Sequence, residues 1–300
     1  MLPLGLALSV LIGVSLGFFG GGGSILTVPL LVYVFGLGPK QAIASSLLVV
    51  GAASSAAVLQ HWRAGNVEVR TGLAFGSAGM AGAYVGGRAG AYVDGTLLLL
   101  LFAVTMVLTA LVMWRGRRAP SQAASSERAT GRLVAQGLGV GLFTGMIGAG
   151  GGFLIVPALA LWAGLPLRAA VGTSLFVIVL NSLAGFLGYV NHVDVDLPLV
   201  AGVAVAAIGG SFLGSRLAER INPSTLRRAF AGFVLTLGLL ILVRETETWL
   251  ATARAALPTS ASQLAFVLFV LAVGIAAGRV SRPAVADPLG ERAFSEGAGI

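Results

Sequence analysis

The sequence predicts an all-α integral membrane protein of two inverted repeats, each a broken-helix hairpin plus three transmembrane helices, with one extra C-terminal transmembrane helix. Three observations carry that expectation. Apolar residues make up 57% of the 300 residues and charged ones 10%, with a mean hydropathy of +0.95. The glycine block Gly20-Gly21-Gly22-Gly23 recurs as Gly148-Ala149-Gly150-Gly151-Gly152, so Gly20 and Gly148 stand 128 positions apart. The 19 Lys and Arg residues fall mainly on one side of a membrane only if the chain turns back at both blocks.

The first stretch, 2–36, has no Lys or Arg ahead of its apolar run and no small-residue cleavage site, so it is read as part of the fold and not as a removable leader. As one helix it would be about 52 Å long at 1.5 Å per residue, against a hydrocarbon core of roughly 30 Å. It must fold back or tilt severely. Apolar runs at 41–60, 71–92 and 96–114 then give three crossings. A second glycine-broken stretch at 133–164 is followed by crossings at 169–190, 197–217 and 225–243, and a seventh lies at 262–279. The expected units are a first membrane repeat, 1–114, a cytoplasmic linker, 115–132, a second repeat, 133–244, and an additional C-terminal helix and tail, 245–300.

The duplication is legible residue by residue. Gly17, Gly20, Gly22, Gly23, Leu26, Val28, Pro29 and Gly36 recur as Gly145, Gly148, Gly150, Gly151, Leu154, Val156, Pro157 and Gly164. The same offset pairs Lys40 with Arg168, Ser45-Ser46 with Thr173-Ser174, Gly82 and Gly86 with Gly210 and Gly214, and Arg88 with Arg216.

Arg115, Arg117, Arg118, Arg128 and Arg132 crowd the linker and place it in the cytoplasm. With hairpins at both blocks, 15 basic residues are cytoplasmic and 4 (Lys40, Arg88, Arg244, Arg254) lie outside; a single crossing at 133–164 gives 9 against 10. The hairpins restore the bias, and three crossings per repeat then make the repeats face opposite ways. The formal charge of +8 is thus a membrane-topology signal and not a nucleic-acid signature. Trp62, Trp114, Trp162 and Trp249 near span ends fit interfacial anchors.

Enzymatic chemistry finds little material. There is no cysteine, the two histidines His61 and His192 have no partner at metal-ligand spacing, and all eleven acids are expected in loops, span ends or tails. Neither glycine block ends in Gly-Lys-Ser/Thr, which excludes a phosphate loop. No metal and no cofactor is expected.

Inverted repeats with discontinuous helices recur in secondary transporters, whose solute site lies near the midplane where the repeats meet. A helix starting after Gly23 or Gly152 would offer unpaired N–H groups and a partial positive charge to an anion. The candidate substrate-binding residues are therefore Gly20, Gly21, Gly22, Gly23, Ser24, Gly148, Gly150, Gly151 and Gly152, with Ser45, Ser46, Thr173, Ser174 and Asn181 from the following spans. Ser54 and Ser55 are further polar groups within a span, and Thr27 adds a hydroxyl near the first block. Asn181 either donates to an anion or bonds to a neighbouring helix. Gly82, Gly86, Gly210 and Gly214, spaced by four, fit close helix packing, and Arg88 and Arg216 fit snorkelling at an interface.

The doubled motif Gly17-x-x-Gly20-x-Gly22-Gly23-x-x-x-x-Val28-Pro29 and Gly145-x-x-Gly148-x-Gly150-Gly151-x-x-x-x-Val156-Pro157 resembles the signature of the TauE/SafE sulfite exporter family, also called the 4-toluene sulfonate uptake permeases. The resemblance covers roughly Leu4 to Arg244. It implies a multi-pass permease of the bacterial inner membrane for small anions such as sulfite, sulfonates or related organic anions. Export by alternating access is the expected mode, with an anion channel or a non-transporting membrane scaffold as the alternative. The expected partners are a small anionic substrate and the lipid bilayer, no nucleic acid, and a homo-oligomer is left open.

Overall fold

A computed structural model describes residues 2–115, 128–148, 150–218 and 223–255. Residues 1–250 form one compact unit; of the second, 251–300, only the end of the last helix is described. The described residues form α1 (Leu2–Phe19), a 3₁₀ segment (Gly20–Leu26), α2 (Thr27–Tyr33), α3 (Pro39–Arg63), α4 (Val69–Tyr92), α5 (Gly95–Arg115), α6 (Arg128–Ile147), α7 (Gly152–Trp162), α8 (Leu167–Tyr189), α9 (Leu197–Ala218) and α10 (Pro223–Ala255). No strand occurs among them.

The first apolar stretch folds back, the expectation that the charge distribution favours over a severe tilt. Gly5 near the start of α1 packs against the Phe35 ring just past α2, and Gly23 packs against Ser15 and Leu16 near the end of α1. Gly36 then turns the chain in the left-handed region at φ 72°, and Pro39, at the first helical position after Gly38, opens α3. The second half repeats the device: Gly164 turns at φ 68° and Pro166 precedes α8.

Three described helices are long and apolar enough to cross a membrane: 25 residues over Pro39–Arg63, 22 over Arg168–Tyr189 and 18 over Leu197–Gly214. The other expected crossings at 71–92, 96–114 and 225–243 are helical in α4, α5 and α10 but do not join these three. In α4 seven glycines and two arginines dilute the apolar character. The expected crossing at 262–279 and most of the linker, 116–127, lie outside the described residues. Two boundaries differ from expectation. α6 already begins at Arg128, and α10 continues to Ala255, past the end expected at 244.

Glycines set the closest packing. A Cβ at Gly82 or Gly86 of α4 would lie 2.1 Å from Leu138 O or 1.9 Å from Leu142 O of α6. At Gly210 and Gly214 of α9 it would lie 2.1 Å from Val10 O and 2.2 Å from Val14 O of α1. Both the glycines and the carbonyls they face are 128 positions apart, so one interface is built twice. These glycines therefore let backbones touch, as small residues do in membrane bundles.

Successive contacts also fix helix directions. Gly82 and Gly86 meet Leu138 and Leu142, and Gly76 and Gly90 meet Leu180 and Tyr189, so α4 runs parallel to α6 and α8. Leu47 meets Gly185 while Trp62 meets Phe176 at 6.2 Å between ring centroids, so α3 runs antiparallel to α8. α1 starts beside the residues that lead into α3, and α9 runs parallel to α1. Thus α1, α3 and α9 point one way and α4, α6 and α8 the other.

Trp62 and Trp114 are half exposed, as interfacial anchors are. At one end of the bundle Lys40 Nζ donates to Ala91 O at 2.8 Å, and Tyr92 Oη lies 3.0 Å from His192 Nε2. The opposite end holds the α3–α4 turn, where the Glu68 N–H donates to Thr173 Oγ1 at 2.9 Å.

Candidate functional site

The two central helices, α3 and α8, cross in the buried middle of the molecule, and the second glycine block is wedged onto that crossing. Gly148, Gly150 and Gly151 all adopt left-handed φ values of 76°, 62° and 74°, which side chains other than glycine avoid. A Cβ at Gly150 would lie 2.4 Å from Val50 Cγ1 of α3 and 3.4 Å from Ile178 Cγ2 of α8, residues that are themselves repeat partners. One at Gly148 would meet Ile43 and Ser46, and one at Gly151 would meet Thr144. The block is thus glycine for two independent reasons, backbone conformation and space.

α7 starts at Gly152, where the expected helix start lies, with Gly151 ahead of it and no side-chain cap. The N–H groups of Leu154 and Ile155 return to Gly151 O at 2.9 and 2.8 Å. Those of Gly152 and Phe153 have no acceptor within their own helix, as at any helix N-terminus.

The first block behaves differently. Gly20, Gly21, Gly22, Gly23 and Ser24 lie in the 3₁₀ segment, and an α-helix resumes only at Thr27, so the helix start expected after Gly23 is corrected. With ordinary negative φ angles open to it, a glycine run can tighten into 3₁₀ winding in place of breaking outright. The segment packs against α1, α7 and α8 and also touches α3. Both blocks thus contact α3 and α8, one as a 3₁₀ connection and one as a left-handed turn.

Polar side chains of these helices and breaks fall into two groups. Ser46 Oγ donates to carbonyls that converge on it, Ile43 O at 2.7 Å and Gly148 O, which ties α3 to the second block. Ser174 Oγ, its repeat partner, bonds to Val171 O at 2.7 Å, and Thr173 accepts from Glu68. Ser24 is fully buried. Ser55 bonds back to Gly51 O at 2.8 Å.

The second group has no hydrogen-bond partner although it is sealed from solvent: the hydroxyls of Thr27, Ser45, Ser54 and Ser182 and both amide atoms of Asn181. Each of these residues is at most 2% exposed. Each such unmet group costs about 1–3 kcal/mol. Asn181 lies against α4, where a Cβ at Gly79 would sit 2.6 Å from Oδ1, and Ser182 Cβ faces Gly51 of α3. Ser182 is the residue that pattern reading passes over. Its one available signal is that it stands 128 positions after Ser54.

Glu245 also departs from expectation. It lies within α10, is 9% exposed, and accepts a hydrogen bond from Tyr33 Oη at 3.0 Å, while Arg244 sits over the Tyr33 ring at 5.5 Å. A shallow groove of about 610 Å³ lined by Lys40, His192 and Asp194 opens at the Lys40 end of the bundle. Among the described residues no group of three His, Cys, Asp or Glu could hold a metal.

Comparison with known proteins finds membrane transporters. Curated relatives include a probable membrane transporter protein of Xylella fastidiosa (strain 9a5c), 36% identical over 241 residues, covering 78% of this chain and 92% of that protein. Others are probable membrane transporter proteins of Methanocaldococcus jannaschii, 27% identical over 258 residues (81% and 96% covered), and of Bacillus subtilis, 26% identical over 238 residues (77% and 96% covered). No solved structure matches. The family described as sulfite exporter TauE/SafE matches residues 5–241, which takes in both glycine blocks and the helices they touch, and the chain belongs to that family of membrane transporters.

Proposed function

We propose that this transporter is a permease that moves small anions, sulfite, sulfonates or related organic anions, outward across a bacterial inner membrane by alternating access. The observation that carries the reading is that both chain breaks contact α3 and α8, the helices that carry four buried, unpartnered polar residues, Ser45, Ser54, Asn181 and Ser182. Polar capacity left unmet at membrane depth is costly, and a bound solute removes that cost. The donors are neutral, so the passenger's charge is met by N–H and O–H dipoles and crosses the membrane uncompensated.

The repeats are read as inverted. Support comes from the opposed directions of α3 and α8, which are repeat partners, and of α4 and α9. The two blocks differ in conformation, one 3₁₀ and one left-handed, and exchanging these conformations between inverted halves would open the site to the other side. Arg63, Arg70 and Arg168 belong to the end of the bundle that carries the α3–α4 turn, which fits a cytoplasmic face. For a monovalent anion the inside-negative potential contributes about 2.3 kcal/mol per 100 mV toward export.

Flux of sulfite, methanesulfonate and acetate in proteoliposomes tests the reading. Saturable, potential-driven flux of at least one of these anions is the expected result. Flux that never saturates would point to a channel, and no flux of any of them would point to a scaffold.

A further inference from the structure

We propose that Ser54, Asn181 and Ser182 form the hydrogen-bonding seat of the transported anion, and that the seat selects an oxyanion still carrying one proton. This rests on the permease reading above and adds its ligands and the protonation state of its substrate.

Ser54 and Ser182 are 0% and 1% exposed, their hydroxyls have no partner, and they are 128 positions apart. Ser182 Cβ faces Gly51, one helical turn from Ser54 on α3, so the two hydroxyl positions lie on facing surfaces of the crossing helices. Several serines and threonines in the bundle are bonded to a carbonyl of their own helix, as Ser9 is to Gly5 O, Thr105 to Phe102 O and Thr144 to Gly141 O. A serine that makes no such bond in a dry site retains its full hydrogen-bonding capacity for a ligand. Gly150 presses on Val50, one turn from Ser54, so movement of the second block changes the space over the seat.

Asn181 supplies the selectivity. Its amide is 2% exposed, and both Nδ2 and Oδ1 are unpartnered. Hydroxyls rotate to donate or accept, but an amide always presents donors on one side and an acceptor on the other. A fully deprotonated oxyanion satisfies Nδ2 and leaves Oδ1 facing lone pairs. An oxyanion bearing one O–H satisfies both. The best-matched passenger is therefore singly charged and protonated, and it needs no buried cation to hold it.

The test is titration calorimetry of the purified full-length protein with sulfite and with methanesulfonate, which has no proton to donate, across pH. The wild type is expected to bind sulfite about tenfold more tightly than methanesulfonate. Sulfite affinity should fall as pH rises and the dianion replaces hydrogensulfite, while methanesulfonate affinity stays flat. Ser54→Ala and Ser182→Ala should each weaken sulfite about five- to tenfold. Their ligand-free melting temperature should stay level or rise, because each removes an unmet hydroxyl. Asn181→Ala should bring the two probes within about twofold of each other, a ratio that a general loss of folding does not alter.

Unchanged sulfite affinity in both serine variants overturns the seat. Equal, pH-independent binding of the two probes by the wild type overturns the proton selectivity. In either case binding by the wild type leaves the permease reading standing, whereas a wild type that binds neither probe removes both.

Discussion

Replacing Gly150 by alanine perturbs the second chain break at its tightest point, and two costs can be separated. The left-handed φ of 62° costs a side-chain-bearing residue about 1–2 kcal/mol. The new methyl would lie 2.4 Å from Val50 Cγ1, and relieving such overpacking costs typically 1–3 kcal/mol. Together they amount to about 2–5 kcal/mol. Gly36 provides the control, since its φ is 72° but no atom lies within 4 Å of the added methyl. Gly36→Ala should therefore show the conformational cost alone. Thermal unfolding in detergent, at about 2–4 °C per kcal/mol for a chain of this size, resolves the difference. Gly150→Ala should melt well below Gly36→Ala, and transport should fall with it. Equal melting of the two variants, or a Gly150→Ala protein as stable as the wild type, would refute the packing of this block against α3.

Other perturbations follow the same geometry. Gly82→Ala and Gly210→Ala should each destabilise by about 1–3 kcal/mol and by similar amounts, because the added methyls face carbonyls at the same 2.1 Å; unequal melting shifts would deny that the interface is duplicated. Tyr189→Phe removes the bond from Tyr189 Oη to Met146 O at 2.7 Å and should cost about 1 kcal/mol in chemical denaturation. Tyr33→Phe should cost about 1–3 kcal/mol because Glu245 loses a hydrogen bond while buried, and Tyr33→Phe combined with Glu245→Gln should recover part of that loss.

Much of the architecture could be read from residues because the repeat is written in them. Gly36 and Gly164, Pro39 and Leu167, Gly82 and Gly210 take matching places in the fold, as the 128-residue offset requires. The hairpin at 2–36 followed from length and charge together: about 52 Å of helix must fold back or tilt severely, and the Lys and Arg distribution favours folding back.

What could not be read was decided by contacts between distant segments. Four glycines are compatible with a left-handed turn and with 3₁₀ winding, and only the packing of Gly23 on Ser15 and Leu16 distinguishes them. Glu245 resembled a loop acid because charged neighbours follow the apolar run, yet Tyr33, 212 positions away, lets it stay inside α10. Thr173 and Ser174 ranked beside Ser45 and Ser46 by symmetry, but the first is taken by the Glu68 N–H and the second by Val171 O. No local pattern tells a serine that bonds to its own helix from one that does not, which is why Ser182 escaped notice.

Because the chain contains no cysteine, one introduced thiol reports without background. Val50→Cys places it on α3 against Gly150, at the crossing that the second break occupies. Labelling it with a membrane-impermeant maleimide, applied to right-side-out and then to inside-out vesicles, measures access to that point from each face. The permease account expects reaction from both faces, slowed from both by the transported anion. A thiol that reacts from neither face, or whose reaction ignores the anion, would contradict it.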